Sequence, residues 1–451
     1  MLAGLRNIRT FESLAVRDYR LLWLGQVSTS LGQWMDQVTR AWLIYILTGS
    51  AFQLGLTTAV RGLPILLFGM VAGALADRSG RKLQLIVAQF TNAALNFILA
   101  GLVITGLVQP WHVYVTAFLA GTVQAFQQPA RQTLIGDIVG RERLLNALAL
   151  NSAALNGSRV FGPAISGYMI VLLQGGAAHP LQGIGYSYVV QGIIYLVATV
   201  WTLQMRVPDR AAERAGMSRE PFFQSMGSGF AYVAKTPLIR SQIALALGPL
   251  TFAMAYTSLM PVIVLNVLHG DAALQGRLLS FIGMGALLGA LTVASMKRTH
   301  AYGLSVVIGA AMFCLGVLMF ASSSSIWLSC GLGVLLGMFN VTYTTQNQTL
   351  LQLSAPRHIR GRVMSVWLLN RGTVPFGALL AGILAEQYGG QDALRIMALL
   401  GLAVVAIVVA TNPAILRQKV PLASDDDVAD RAAAAAAGGA SAVRSRAGAP
   451  D

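Results

Sequence analysis

One acid and several arginines lie inside stretches of sequence that are otherwise apolar. Asp36 stands near the middle of its stretch, and Arg40 follows four residues later, on the same face of a helix. Arg61 enters from the adjoining stretch at about the depth of Arg40. A carboxylate in this setting can carry a proton or form a permanent ion pair. Both interpretations of Asp36 stay open, although several cations around one acid favour the ion pair with Arg40 or Arg61.

Further polar side chains in these stretches could line a cavity. Unpaired guanidinium groups bind carboxylates, so such a cavity would favour anionic or acidic substrates. The amides among them could instead hydrogen-bond between helices. The candidates for a substrate cavity are Gln124, Gln128, Arg131, Arg159, Asn340, Gln346, Asn347 and Arg371.

The chain lacks the residue groupings that catalysis and metal binding require. The five histidines are scattered, and Cys314 and Cys330 fall in apolar stretches without the spacing of metal ligands. No G-x-x-x-x-G-K-[ST] loop for nucleotide phosphates occurs. We therefore expect no enzyme activity, no metal and no cofactor.

The elements that must hold these residues are long apolar segments. The 451 residues are 55% hydrophobic and 11% charged, whereas soluble domains carry about 25% charged residues. A membrane span needs about 20 apolar residues. Twelve segments qualify: 20–48, 54–76, 83–106, 111–136, 145–173, 184–205, 238–268, 274–296, 303–321, 326–352, 363–386 and 392–415. The sequence therefore predicts an all-α membrane protein with twelve transmembrane helices in a lipid bilayer.

The basic residues predict the orientation of these segments. If both termini are cytoplasmic, most of the 32 Lys and Arg residues fall in cytoplasmic loops, and the others lie within spans or at their ends. This is the distribution that the positive-inside rule requires. It also explains the net charge of +15 without a nucleic-acid partner.

The chain divides into two related halves. Gln132-Thr133-Leu134 recurs as Gln348-Thr349-Leu350, and Arg61 recurs as Arg277 at the same offset. We expect a cytoplasmic N-terminus (1–19), a six-helix half (20–205), a cytoplasmic central loop (206–237), a second six-helix half (238–415) and a disordered cytoplasmic tail (416–451). The buried acid Asp36 belongs to the first half, since its repeat equivalent is Phe252.

A charged loop with fixed spacing joins the second and third segments. Its glycines permit close helix contact and a sharp turn. It consists of Gly73, Asp77, Arg78, Gly80, Arg81 and Lys82. The loop resembles the conserved G-x-x-x-D-R-x-G-R-K motif of the major facilitator superfamily at every specified position. The resemblance implies the major facilitator fold of two six-helix repeats, and a gating loop that latches the cytoplasmic side. A basic loop that only sets topology is the alternative.

A glycine-rich stretch in the fifth segment is similar to the Gly-Pro motif of many drug:proton antiporters. It contains Gly157, Gly162, Pro163 and Gly167, while Ser166 stands where the fuller motif has glycine. The resemblance implies a helix-five hinge; a Pro-kinked packing face is the alternative.

Two shorter stretches are similar to the bacterial subfamily of the enterobactin exporter and macrolide efflux proteins. They are 126–132, followed by Asp137, Arg141 and Glu142, and the segment 17–23. The resemblance implies a monomeric, proton-coupled antiporter in the bacterial inner membrane that exports a drug-like, siderophore-like or acidic molecule by alternating access. The alternatives are an importer or uniporter of a small metabolite, and a membrane sensor that transports nothing.

Overall fold

The computed structural model describes residues 9–78, 80–174, 181–206, 222–296, 302–356, 359–368 and 370–418. Within these ranges the regular secondary structure is helical, without a strand. In the described part of the chain, nine segments are long and apolar enough to cross a membrane: Ala51–Phe68, Arg81–Ile104, Gln182–Leu203, Pro237–Thr257, Ala272–Ser295, Tyr302–Ser322, Ile326–Ser354, Arg360–Tyr388 and Gly390–Thr411. The other three predicted spans lie in the two longest helices of the first half.

The first half contains five long helices, preceded by a 3-10 helix at Arg9–Ala15. They are α1 Arg17–Thr48, α2 Ala51–Arg78, α3 Arg81–Ile104, α4 Pro110–Leu172 and α5 Gln182–Leu203. Gly49 ends α1 in the left-handed conformation (φ 63°), which glycine adopts without strain. Gly140 interrupts α4 with a positive φ of 71° and an extended ψ of 177°, a conformation that is essentially restricted to glycine. The interruption separates the two segments that were predicted as the fourth and fifth spans.

The second half begins with a short helix that was not predicted. It is α6 Phe222–Lys235, within the stretch that was predicted as a loop. The following elements are α7 Pro237–Ala253, a 3-10 helix Met254–Thr257, α8 Met260–Asn266, α9 Ala272–Ser295, α10 Tyr302–Ser322, α11 Ile326–Ser354, α12 Arg360–Leu368, α13 Asn370–Tyr388, α14 Gly390–Thr411 and a 3-10 helix Pro413–Arg417. The predicted seventh span is therefore broken around Met254–Thr257, and the tail from 419 lies outside the described residues.

The two halves meet along two helix pairs, α2 with α13 and α4 with α9. In the first pair, Gly382 packs on Ala51 at the end of the bundle opposite the chain termini, and Gly62 faces Pro375 nearer the middle. A Cβ on Gly62 would overlap the Pro375 ring. The halves therefore approach through their backbones, as small residues allow in membranes.

Hydrogen bonds join the halves at the same end. Asn266 Nδ2 donates to Tyr45 Oη at 2.8 Å, and the Ser258 and Thr58 hydroxyls lie 3.2 Å apart. This end, where α1 finishes and α2 begins, is closed by contacts between the halves. We call it the far end, and the end that carries residues 17 and 417 the terminal end.

Candidate functional site

A buried cluster of one acid and two arginines lies in the first half. Arg40 donates two hydrogen bonds to Asp36, from Nη2 to Oδ1 at 2.9 Å and from Nε to Oδ2 at 3.2 Å. Arg61 of α2 also donates to Asp36 Oδ2. Asp36 and Arg40 are 4% and 5% exposed, so the ion pairs lie almost wholly inside the protein. One carboxylate faces two guanidinium groups, and the cluster carries a net charge of about +1.

Arg40 also ties the cluster to α4. Its Nη1 donates to Thr116 Oγ1 at 2.9 Å and to the Val113 carbonyl at 3.3 Å. The cluster on α1 is therefore tied to α4 through Arg40 and to α2 through Arg61. Such full bonding is what a buried ion pair needs to offset its loss of hydration.

A cavity of about 480 Å³ opens between the two halves beside this cluster. Drug-sized ligands occupy pockets of roughly 300–1,000 Å³. From the first half, its walls include Gln33, Trp34, Gln37, Arg40, Thr57, Arg61, Gln124 and Arg159. From the second half, they include Met254, Thr257, Ser258 and Val374. Two of the predicted cavity residues, Gln124 and Arg159, lie in these walls.

Arg159 presents an unpaired charge to the cavity. Its guanidinium carbon lies 5.5 Å from the centre of the Trp34 ring, a cation–π contact. Among the described residues it has neither a hydrogen-bond acceptor nor an acid partner. The described walls contain no aspartate or glutamate. The cavity is therefore cationic on the Arg159 side and on the Arg61 side.

A smaller chamber of about 20 Å³ lies beside the cavity and shares Gln33, Arg61 and Gln124 with it. Its walls include two further predicted residues, Gln128 and Arg131. Arg131 Nη1 donates to Gln26 Oε1 at 2.6 Å.

The predicted amides of α11 line neither of these two spaces. Gln346 accepts a hydrogen bond from Ser305 Oγ at 2.9 Å, and Asn347 Nδ2 donates to the Gln242 carbonyl at 3.1 Å. Asn340 Nδ2 lies 3.9 Å from the Met254 sulfur. These contacts join α11 to neighbouring elements, which agrees with interhelical hydrogen bonding rather than with a cavity lining.

The basic part of the charged loop is bonded within the first half. Arg81 Nη1 lies 2.5 Å from Asp137 Oδ2, and Lys82 Nζ donates to the carbonyls of Leu203 and Met205 at 3.0 and 2.7 Å. Gly80 precedes α3 and forms its N-cap. Lys82 lies at the C-terminus of α5, where the helix dipole favours a cation.

The surroundings of four predicted site residues lie outside the described part of the structure. They are Gly73, Asp77 and Arg78 of the charged loop, and Arg371.

The predicted hinge of α4 contains close helix contacts. A Cβ on Gly162 would lie 2.6 Å from Trp34 Cβ, and one on Gly167 would overlap the Ala272 carbonyl of α9. The Pro163 carbonyl faces Gly276 of α9, whereas a Cβ on Gly157 would meet nothing within 4 Å. Pro163 and Gly167 thus pack against the second half, whereas Gly162 packs on α1 within the first half.

Sequence reasoning missed Trp34 and the polar face of α1. Gln26, Ser30 and Gln33 recur at helical spacing inside an apolar segment, and all three line the smaller chamber. That periodicity was a usable signal. The contact between Trp34 and Arg159 joins residues that are far apart in the sequence, so no local pattern indicates it.

The known proteins that this chain resembles are membrane transporters. A family model described as transmembrane secretion effector matches residues 8–446. The staphyloferrin A transporter of Staphylococcus aureus is 25% identical over 391 residues, 84% of this chain and 91% of that protein. The enterobactin exporter of Citrobacter koseri is 29% identical over 350 residues, 75% of this chain and 79% of that protein.

A similar fold occurs among solved structures. A bacterial homologue of the human lysosomal transporter Spinster, in an inward-facing and occupied conformation, gives a TM-score of 0.71. The alignment covers 90% of this chain and 99% of that one at 14% identity. At this identity the likeness shows the fold alone.

Proposed function

Since the chain belongs to the transmembrane secretion effector family of major facilitator transporters, we propose that it exports a small acidic organic molecule by alternating access. The family consists of transporters and not of enzymes. The observation that carries the substrate class is the unpaired Arg159 guanidinium in a cavity whose described walls contain no acid.

The proposed topology has twelve spans with both termini in the cytoplasm of a bacterial cell. The helix bounds and the placement of basic residues support it. The far end then faces the periplasm, and the contacts between the halves there would close the cavity to that side. A thiol introduced as Leu107→Cys should react with an impermeant reagent in whole cells, and one introduced as Lys235→Cys should not. The reverse pattern would contradict the topology.

Export then requires the halves to rock about the cavity. Contacts along α2–α13 and α4–α9 would open at the far end, while the loop at residues 73–82 would close the terminal end. The basic residues Arg81 and Lys82, already bonded in the first half, would hold that loop in place.

An acidic substrate is supported by the charge of the cavity. A carboxylate gains a charge-assisted hydrogen bond from a guanidinium, and the gain is larger in a cavity that excludes water. Two relatives are named for staphyloferrin A and enterobactin. For an anion, a cytoplasm-negative potential also drives export, by about 2.3 kcal/mol per charge per 100 mV.

Asp36 fits the role of a fixed counter-ion in this proposal. Protonation of Asp36 would release Arg40 and Arg61 for an anion, so protons and anions would bind together. A proton antiporter requires the opposite, since its proton and substrate must exclude one another. We therefore propose that Asp36 stays ionised and that the membrane potential drives export of the anion.

Proton antiport through Asp36 is the second candidate, and it fits a cationic substrate that would compete for the carboxylate. Purified protein in proteoliposomes separates the two, with citrate and salicylate as acidic probes and ethidium as a cationic probe. We expect accumulation of an acid in response to an imposed potential. Accumulation of ethidium in response to an imposed pH gradient, without movement of either acid, would support antiport and contradict the proposal.

A further inference from the structure

The smaller chamber is lined by residues of the first half and adjoins the cavity between the halves. Its walls come from α1, α2, α3, α4 and α5, and include Gln26, Thr29, Ser30, Gln33, Arg61, Asn92, Gln124, Gln127, Gln128, Arg131 and Tyr195. About 10–15 Å³ admits one water-sized sphere. The chamber, at about 20 Å³, therefore has room for a ligand of one or two atoms.

The chamber walls are rich in hydrogen-bond donors. One face of α1 contributes amides and hydroxyls, and one face of α4 contributes amides and Arg131. The charged groups in the described walls are the guanidinium groups of Arg61 and Arg131, without a carboxylate. Donors and positive charge around a small recess are the chemistry of an anion site.

Arg131 brings a positive charge to this chamber without a counter-ion among the described residues. It is 4% exposed, and its Nη1 donates to Gln26 Oε1. Its Nη2 is buried and has no hydrogen-bond partner among the described residues. Arg131 also has no acid partner within the described part of the chain. A buried guanidinium without a counter-ion is costly, so a ligand of opposite charge would relieve the site.

The repeat of the chain shows that the fold does not require this charge. The offset that relates Gln132 to Gln348 also relates Arg131 to Asn347 and Gln26 to Gln242. In the second half Asn347 donates to the Gln242 carbonyl at 3.1 Å, so the same two helices are joined by a neutral amide. The first half keeps the contact and adds a positive charge, which packing alone does not explain.

We propose that this chamber binds one small inorganic anion of the chloride class, with Arg131 as its principal ligand. Arg40 and Arg61 share the single carboxylate of Asp36, so one positive charge of that cluster has no counter-ion. The anion would balance this charge. It would also stabilise the packing of α1 against α4 around the bond from Arg131 to Gln26.

The test compares thermal unfolding of the purified full chain in sodium chloride and in sodium gluconate of equal concentration. We expect chloride to raise the midpoint of the wild type by about 2–4 °C, with saturation, because a ligand stabilises the state that binds it. Arg131→Asn, which copies the second half, should abolish this rise. Arg395→Asn removes an exposed arginine at the far end and should retain it.

Three results would overturn the proposal: equal midpoints of the wild type in both salts, a saturable chloride effect retained in Arg131→Asn, or a rise in sodium acetate without one in chloride. The last would assign the chamber to a carboxylate group of a substrate. If Arg131→Asn does not fold, bromide in wild-type crystals decides the question. Anomalous density beside Arg131 supports the site, and its absence from the chamber refutes it.

Discussion

The carboxylate of Glu386 accepts a hydrogen bond from the backbone N–H of Phe52 at 3.1 Å and thus caps α2 from the other half of the molecule. The same oxygen accepts from the Ser50 hydroxyl at 3.0 Å. The first turn of a helix has unsatisfied N–H groups and favours a negative charge. This cap exists only while the two halves are together at the far end.

Replacement of Glu386 should therefore favour opening of the far end. Loss of an N-cap costs about 1 kcal/mol, and Glu386→Ala should raise the open population about fivefold. Spin labels at Thr48 and Tyr388, one on each half, would report the distance. Asp392→Asn is the matched control, because its ion pair with Arg395 lies within one helix at the same end. Equal distance distributions for Glu386→Ala and the wild type would refute the role of the cap.

The glycine seam should respond to a single methyl group. Gly62→Ala places a Cβ into the Pro375 ring, whereas Gly101→Ala places one in open space. We expect Gly62→Ala to lower the free energy of unfolding by about 1–3 kcal/mol through overpacking and to separate the halves at the far end. Gly101→Ala should be at least as stable as the wild type, since alanine favours a helix. An unchanged free energy of unfolding in Gly62→Ala would show that the halves do not pack this closely.

The Asp36 cluster should be sensitive to the loss of its acid. Asp36→Asn leaves the buried Arg40 and the partly exposed Arg61 without a counter-charge, at a cost of about 3–5 kcal/mol. Unfolding of the purified variant would measure the loss. The double variant Asp36→Asn with Arg61→Gln should be more stable than the sum of the two single variants predicts, because one excess cation is then removed. Strict additivity would mean that Asp36 and Arg61 do not interact.

Much of the helical architecture follows from the sequence. Long apolar segments predict helices to within a few residues, because their length and hydropathy do not depend on distant contacts. The pairing of Asp36 with Arg40 also follows, since residues four apart share a helix face. Helix α6 was not predicted because its 14 residues are too few for a membrane span.

The contacts that give the site its character depend on distant residues. The sequence around Arg159 does not indicate its contact with Trp34, and the sequence around Glu386 does not indicate that it caps α2. Gln346 was expected to line the cavity, yet its side chain bonds to Ser305 of α10. Spacing within a helix tells which residues share a face, but the neighbour of that face is set by the packing of the whole bundle.

The central claim is that Arg159 gives the cavity its preference for anions. The most direct test is potential-driven accumulation of citrate or salicylate in proteoliposomes, with Arg159→Gln beside the wild type. Loss of a charge-assisted hydrogen bond should reduce apparent affinity for the transported acid at least about tenfold. Arg395→Gln, which removes an exposed arginine outside the cavity, should leave it unchanged. Transport of the acid with unchanged affinity in Arg159→Gln, or transport of ethidium alone by the wild type, would contradict the account.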